Sequence, residues 1–330
     1  MQTKKSNSIE YLKGCAAIFV VLHHAILYTG VEQSSLIWQI GLNMVMMTHV
    51  PLFFVIAGFL CYRQPFGRYI QKKALRILVP FFLFSALKLF YSTFISNEFA
   101  HGDSLWAQVF SAFVVGSLYW FPYAIVLCYC FAVFFWTGKQ ETAPTSKKLL
   151  TLGVLIGLIL INCRWYLPDF NALTFFQVGN AIRFFVFFLI GMMIRQYQEK
   201  LSLLFRNHQP LIIALSLLVM AISSYFVIQS HGAHNYPAEL PLGLSTMVIL
   251  FAISKVIPQN LKPLHLAGKY SLQIMFFDSF NKVILFALLP RFIPFPLPLI
   301  LVEVVLNLLI TCIACQIIER IPRIRTLFGL

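Results

Sequence analysis

Charged residues are scarce in this sequence, and acidic residues are the scarcest of them. Only 11% of the 330 residues are charged, and Asp and Glu together number 11. Hydrophobic residues make up 59% of the chain, and apolar stretches long enough to cross about 30 Å of hydrocarbon recur throughout. This composition is not that of a soluble globular protein. It predicts an all-α, polytopic integral membrane bundle.

The sequence also offers little for a metal site. No two histidines have the three to five intervening residues that a zinc-binding pair shows, and the seven cysteines fall almost wholly within apolar runs. Cysteines in such positions behave as small buried hydrophobes. We therefore predict no metal cofactor. An internal repeat of the kind that marks many secondary transporters is missing as well.

The basic residues are distributed in a way that indicates membrane orientation. In a soluble chain the net charge of +14 would suggest a nucleic-acid partner. Here the basic residues cluster in short loops between apolar runs, which is how orientation in a bilayer is encoded, so we predict no nucleic-acid partner. With a cytoplasmic N-terminus, 20 of the 25 Lys and Arg residues fall on that side and only Arg164 and Arg291 fall outside. Both termini are therefore predicted to be cytoplasmic.

Hydrophobic runs and their flanking loops predict about ten transmembrane helices. A short apolar run within residues 97–117 is too short to span and is predicted to be re-entrant or to lie at the surface. A basic loop, with Arg63, Arg68, Lys72, Lys73 and Arg76, is expected to lead into the third helix. The predicted spans are 9–28, 36–62, 77–95, 120–136, 149–163, 178–194, 210–228, 240–257, 270–289 and 297–318.

The first predicted helix carries the most informative polar residues. Eleven helical steps from Lys13 to His24 amount to within about 20° of three turns, so both side chains lie on one face about 16 Å apart along the axis. Glu10 lies three residues before Lys13, where it can pair with the ammonium group. His23 points roughly 80° away from His24. Titratable groups inside an apolar run are costly, which makes them candidates for a functional site.

Several motifs resemble the integral-membrane acyltransferase family known as acyltransferase three, which O-acylates cell-envelope sugars. The resemblance covers essentially the whole chain. The motifs are Glu10-x-x-Lys13-Gly14 with His24, His49-Val-Pro-Leu-Phe-Phe-Val-Ile-Ala-Gly58, Lys73-x-x-Arg76 with Pro80, Tyr119-Trp120-Phe121 in place of a family LWF element, Phe-Phe-x-x-Gly191, and Gly268-Lys269-Tyr270-Ser271-Leu272.

The resemblance implies ten helices, a cytoplasmic acyl-coenzyme A donor and a functional basic-x10-His motif, here Lys13 and His24. Three positions depart from the family pattern. Lys13 replaces the usual arginine. A guanidinium group, which can donate two parallel hydrogen bonds, is thereby replaced by an ammonium group that acts as a point charge. Ala57 replaces a common serine. Asp278 stands where many members have histidine, so no role of that histidine is carried over.

Each candidate residue has a functional and a structural interpretation. His24 can be a general base or a nucleophile, with Lys13 and Glu10 in the same site, or it can be a hydrogen-bonded structural histidine. His23 is predicted to be structural, and His49 to be either an active-site group or a helix-packing residue. Lys72, Lys73 and Arg76 can bind the phosphates of coenzyme A, or set topology and bind anionic lipids. Additional active-site candidates are Trp120, Arg183 and Asp278.

The sequence offers alternative partners for two intramembrane acids. Asp278 and Lys282 are four residues apart and are predicted to pair with each other or with Arg183. Glu303 lacks an obvious local partner in the sequence. It could pair with Arg183 or line the path of the acceptor.

Two functional classes follow from these features. The favoured one is a membrane-bound O-acyltransferase that transfers an acyl group, expected to be acetyl, from cytoplasmic acetyl-coenzyme A or another acyl-coenzyme A to a hydroxyl of a cell-envelope or lipid-linked sugar. The expected location is the bacterial cytoplasmic membrane. The expected organisation is a single transmembrane domain over 1–330 without a fused soluble domain. The alternative is a transporter in which Lys13, His24, Arg183, Asp278 and Glu303 form a substrate or proton path.

Overall fold

The computed structural model of the protein describes residues 2–31, 35–61, 66–94, 104–135, 146–163, 175–229, 236–256 and 261–330. All regular elements in these ranges are helices, and they contain no strand. The all-α prediction is therefore confirmed. The α-helices are α1 (Gln2–Thr29), α2 (Leu36–Leu60), α3 (Phe66–Phe94), α4 (Leu105–Phe110), α5 (Phe121–Phe131), α6 (Lys147–Cys163), α7 (Val178–Gln196), α8 (Gln198–Gln229), α9 (Tyr236–Val256), α10 (Lys262–Lys269), α11 (Ser271–Leu288), α12 (Pro296–Glu319) and α13 (Pro322–Arg325).

Eight of the helices in these ranges are long and apolar enough to cross a membrane. They include α1, α2, α3, α7, α8, α9, α11 and α12. The predicted spans at 120–136 and 149–163 correspond to shorter apolar helices. The first is Phe121–Phe135, α5 with the 3-10 turn that follows it, and the second is α6, which has 17 residues. The chain is a polytopic membrane protein.

Two predicted boundaries are wrong because the helices extend into polar sequence. Residues 68–76 were expected to be a loop, but α3 begins at Phe66, so the described basic residues of this segment lie on the helix. Lys and Arg are good helix formers and no proline lies between Phe66 and Pro80, so the basic segment can continue the helix. Similarly, α8 begins at Gln198 and bends at His208, two residues before Pro210. The bend has a local cause, since proline lacks an N–H and clashes with the preceding turn.

Some predictions fall outside the described residues. Arg63, Lys139 and Arg164, which contribute to the predicted charge asymmetry, lie outside the described ranges. The apolar run predicted to be surface or re-entrant is described from Ser104 onward. There it forms the short α4 and a π-helical stretch, Ser111–Val115.

The described chain divides into two compact units. Unit 1 comprises Met1–Ile56 and Tyr197–Gln316, and it contains α1, α8 to α11, and most of α2 and α12. Within it α1 packs against α10, α11 and α9, and α8 packs against α9.

Glycines permit the closest helix approaches in unit 1. A Cβ atom on Gly268 of α10 would overlap the backbone of Glu10, and a Cβ atom on Gly14 of α1 would overlap the backbone of Leu264. A similar approach occurs where Gly243 of α9 faces the Met47 carbonyl of α2. The crossing of α1 and α10 is therefore so close that neither glycine position has room for a Cβ atom, which fixes the height of Glu10 and Lys13 against α10.

Unit 2 comprises Ala57–Gln196 and Ile317–Leu330. Its helix α5 packs against α3 and α7, and α6 packs against α7. Aromatic side chains fill these contacts, as in the edge-to-face pair of Tyr129 with Phe188. Glycines again allow close approach, because a Cβ atom on Gly58 would overlap the backbone of Phe188.

Candidate active site

Glu10 and Lys13 form an ion pair on the first half of α1. The Lys13 Nζ atom lies 2.9 Å from Glu10 Oε1, and the two side chains are about a quarter exposed. The predicted pairing at a separation of three residues is confirmed. The other carboxylate oxygen of Glu10, Oε2, is buried and has no hydrogen-bond partner among the described residues. The pair is held in place by the close approach of α10 at Gly268.

His24 pairs with Asp278 of α11. Its Nδ1 atom lies 2.5 Å from Asp278 Oδ2, within hydrogen-bond distance, and the Asp278 side chain is 1% exposed. A carboxylate only accepts hydrogen bonds, so Nδ1 of the neutral ring carries the hydrogen and donates it. The Nε2 atom then keeps its lone pair. In this tautomer His24 can remove a proton from, or attack, a group placed at Nε2.

Asp278 receives further hydrogen-bond donors and charges. The Lys282 ammonium lies 3.8 Å from the same Oδ2 atom, so the predicted pairing at a separation of four is confirmed, with His24 as the closer partner. Lys282 also lies over the ring of Tyr28. On the other side, Asn307 of α12 donates to Asp278 Oδ1 at 2.9 Å. Both carboxylate oxygens of Asp278 are thus engaged.

The expectation that Glu303 lacks a local partner is wrong. Asn307, one helical turn later, donates to Glu303 Oε1 at 2.9 Å. The Asn307 side-chain oxygen in turn accepts from Asn281 of α11 at 2.9 Å. These polar residues repeat every three or four positions on two apolar helices, and that periodicity was the sequence signal that could have revealed them. The residues are Asp278, Asn281 and Lys282 on α11, and Glu303, Asn307 and Thr311 on α12.

Three imidazole rings lie next to one another in unit 1. The His23 ring is 5.2 Å from the His24 ring and 5.1 Å from the His49 ring, centroid to centroid. His49 is buried and donates its Nδ1 hydrogen to the Val45 carbonyl at 2.6 Å, within its own helix. His49 therefore neighbours the candidate site by way of its ring contact with His23, while its own hydrogen bond, to Val45, is structural. Among the described residues no group of His, Cys, Asp and Glu has the arrangement of a metal site.

A family model described as an acyltransferase domain matches residues 6–319. The chain belongs to acyltransferase family 3. It is therefore a membrane-bound enzyme that transfers acyl groups. No curated protein and no solved structure matches the chain.

The predicted donor-binding residues of this acyltransferase lie on the first turns of α3, in unit 2. Lys72 and Arg76 are exposed, and Lys73 is half-buried with its ammonium 5.6 Å from the centre of the Tyr69 ring. The Arg76 Nε atom donates to the carbonyl of Gly329 at 3.2 Å, which ties α3 to the C-terminal segment. Arg76 thus has a structural contact, and its predicted role with coenzyme A stays a prediction.

Trp120 and Arg183 also lie in unit 2, where both contact the same aromatic ring. The Trp120 ring stacks on Phe184 with 5.3 Å between centroids, and the Arg183 guanidinium lies 5.3 Å from the centre of that ring. The structure therefore brings together two residues that the sequence proposed separately. Their part in the acyltransferase reaction stays a prediction.

Proposed function

We propose that this acyltransferase transfers an acyl group, in the simplest case acetyl, from acyl-coenzyme A to a hydroxyl of a cell-envelope or lipid-linked sugar in a bacterial cytoplasmic membrane. Acyl transfer itself follows from the family. The observation that carries the proposed chemistry is the 2.5 Å contact between His24 Nδ1 and Asp278 Oδ2. It supports a histidine whose tautomer and orientation are fixed by a buried carboxylate, as in hydrolases that activate a hydroxyl.

The proposed reaction needs one base and one path for the proton. Nε2 of His24 removes the proton of the acceptor hydroxyl as its oxygen attacks the thioester carbonyl. The imidazolium that forms is stabilised by the Asp278 carboxylate. When the tetrahedral intermediate collapses, the carbon–sulfur bond breaks and the coenzyme A thiolate takes the proton from His24. The products are the O-acyl sugar and free coenzyme A, and His24 is neutral again.

An acyl-histidine intermediate is the second route that the same pair permits. In that route Nε2 attacks the thioester first and the sugar hydroxyl then attacks the acyl-imidazole. The two routes are separated by incubating the protein with radiolabelled acetyl-coenzyme A without acceptor. Label retained on His24 after denaturation supports the covalent route, and its absence under rapid quenching supports direct transfer.

The proposal of coenzyme A as the donor is supported by the match between its negative charge and the basic residues of the chain. A multiply anionic nucleotide is excluded from hydrocarbon, so it must bind at a surface with cationic side chains. Lys72, Lys73 and Arg76 have the spacing of three and four that places cations together on a helix, and two of them are exposed. This supports their assignment to the phosphates. Lys13, with its carboxylate partner Glu10, is proposed as a further residue of the catalytic site on α1.

The test of the proposed function uses the purified protein in lipid nanodiscs. It is supplied with radiolabelled acetyl-coenzyme A and a lipid-linked glycan fraction from bacterial envelopes, and label in the glycolipid is measured. We expect coenzyme-A-dependent labelling by the wild type and none by His24→Ala. Envelope glycans of cells with and without the gene should differ by one acyl-sized mass. Equal glycan masses together with no labelling would refute the donor and acceptor proposed here.

A further inference from the structure

A chain of hydrogen bonds continues beyond the His24–Asp278 pair into α12. Asn307 has no exposed side-chain surface, and its Nδ2 atom lies 2.9 Å from Asp278 Oδ1 and 2.9 Å from Glu303 Oε1. The amide therefore bridges two buried acids that come from different helices. The reaction outlined above uses only the first of them.

The orientation of the Asn307 amide is set by its neighbours. The Asp278 oxygen beside Nδ2 belongs to a carboxylate, which only accepts hydrogen bonds, so the NH₂ end of the amide must face it. The oxygen end must then face a donor, and Asn281 supplies one at 2.9 Å. Asn281 itself contacts the Thr311 hydroxyl at 3.0 Å. A flipped amide would place its oxygen against the Asp278 carboxylate, so this contact permits one orientation.

Asn307 completes the set of donors around Asp278. The Oδ2 atom faces His24 and Lys282, and without Asn307 the Oδ1 atom would be a buried acceptor with nothing to fix the plane of the carboxylate. A carboxylate held at one oxygen can rotate about its side-chain bonds. Held at both oxygens, it keeps one orientation toward His24 Nδ1.

The second acid, Glu303, does not compete with Asp278 for this role. Glu303 is completely buried, and its Oε2 atom has no hydrogen-bond partner in the part of the chain that the structure describes. An ionised carboxylate in that position would have one hydrogen bond, from Asn307, and no ion pair among the described residues. Asp278, in contrast, faces a cation and two other donors. The negative charge therefore belongs on Asp278, and Glu303 anchors the other hydrogen of the Asn307 amide.

We propose that Asn307 is a positioning residue for acyl transfer, which holds the Asp278 carboxylate in the orientation that fixes the tautomer and direction of the His24 ring. This inference rests on the proposed role of His24. It predicts that Asn307 acts through Asp278 and has no effect once Asp278 is gone. A residue that only stabilises the helix contact would act independently of Asp278.

The test is a double-mutant cycle with Asn307→Leu, Asp278→Ala and the double variant, purified in nanodiscs. Transfer of label from acetyl-coenzyme A to envelope glycolipid gives kcat and KM. We expect Asn307→Leu to lower kcat about tenfold or more with the donor KM unchanged. In the Asp278→Ala background the same substitution should change kcat by less than about twofold. Thr246→Val, which removes a buried hydroxyl bonded to the Leu242 carbonyl of its own helix, is the control.

Equal fold losses in the two backgrounds would overturn the proposal, because Asn307 would then act independently of Asp278. If Asn307→Leu is not recovered as a monodisperse protein, Asn307→Ser replaces it, since serine can still accept from Asn281 but does not reach both acids. Thermal unfolding of the same four proteins needs no substrate. Additive shifts of Tm would also overturn the proposal, and coupled shifts support it. Lack of label transfer by the wild type would instead refute the proposed function. The Tm values of the four proteins would then still show whether Asn307 and Asp278 are coupled.

Discussion

The properties of the His24 imidazole are set by a residue 254 positions away in sequence. Because Asp278 accepts the hydrogen bond that Nδ1–H donates, only Nε2 is left with a lone pair, so the reactive side of the ring is defined. His23, its neighbour in sequence, points to His49 and has no such carboxylate among the described contacts. Two adjacent histidines therefore have different chemical environments, as their helical phases predicted.

We predict that His24→Ala abolishes acyl transfer and leaves the protein folded. The substitution removes the base and puts a small side chain on a partly exposed position, so a loss of about 10²-fold or more is expected in kcat. His23→Ala is the matched control, since it removes an imidazole one position away, and its loss should be less than about tenfold. Label transfer and size-exclusion profiles are the measurements. A larger loss in His23→Ala would show that the wrong histidine has been assigned.

We predict that Asp278→Asn lowers kcat about 10²-fold with little change in the KM of acetyl-coenzyme A. The amide keeps the size of the side chain but no longer stabilises the imidazolium, and its NH₂ group can turn toward His24 and reverse the tautomer. Ser279→Ala is a control in the same helix, where the hydroxyl donates to the Phe276 carbonyl. An unchanged kcat in Asp278→Asn would mean that the carboxylate serves only helix packing.

The sequence predicted two polar contacts within single helices and missed those between helices. A helical phase is enough to pair Glu10 with Lys13 and Asp278 with Lys282, because both partners lie on one element. The contact of His24 with Asp278 depends on how α1 packs against α11, which no local periodicity contains. The contact of Glu303 with Asn307 was also missed, although Asn307 lies only four residues later on the same helix.

At the scale of elements, the apolar runs predicted the positions of the helices more accurately than they predicted the ends of the helices. Hydropathy reports where a helix is surrounded by hydrocarbon or by other helices, and it does not report where the backbone leaves the helical conformation. Helices α3 and α8 continue into basic and polar sequence beyond the apolar run. As a result, the basic residues expected in a loop before α3 are arranged with helical spacing on its first turns.

We predict that Gly268→Ala destabilises unit 1 and weakens acyl transfer. The new Cβ atom would overlap the backbone of Glu10, so α1 and α10 would have to move apart, at a cost of about 1–3 kcal/mol. Gly41→Ala in α2 is the control, because nothing lies within 4 Å of its added Cβ atom. It should be neutral or stabilising, since alanine favours helix. Thermal unfolding of both variants is the measurement. Equal Tm values would contradict the close crossing of α1 and α10.

We predict that replacing Lys72, Lys73 and Arg76 together with Gln raises the KM of acetyl-coenzyme A at least about tenfold and changes kcat little. Contacts with a remote part of the donor act in the ground state and the transition state alike. Added salt should weaken donor binding in the wild type more than in the variant, since exposed charges are screened. The control replaces Lys147, Lys148 and Lys262, which are exposed and predicted to be cytoplasmic. A loss of kcat at unchanged KM would remove these three residues from the donor site.

At the scale of the whole molecule, the distribution of charge predicts one orientation in the membrane. Counted on the predicted topology, 20 of 25 basic residues lie on the side of the N-terminus, and Lys88, Arg183 and Lys282 lie within predicted spans. Eight long apolar helices and the shorter ones at Phe121–Phe135 and α6 agree in order with the ten predicted spans. If both shorter helices cross the membrane, or neither does, both termini lie on the same side.

We predict that both termini are cytoplasmic, and that single cysteines introduced at Gln2 and Leu330 into a cysteine-free variant resist a membrane-impermeant maleimide in intact cells. Both should react after the membrane is permeabilised. A cysteine at Arg291, between α11 and α12, should react in intact cells, because this exposed residue falls on the outer side of the predicted topology. Each variant first has to retain acyl transfer. Labelling of Leu330 in intact cells with Gln2 protected would mean an odd number of crossings, so that one of the two short helices does not span the membrane. Labelling of both termini would reverse the orientation, and it would place the basic turns of α3 on the side opposite to cytoplasmic acetyl-coenzyme A.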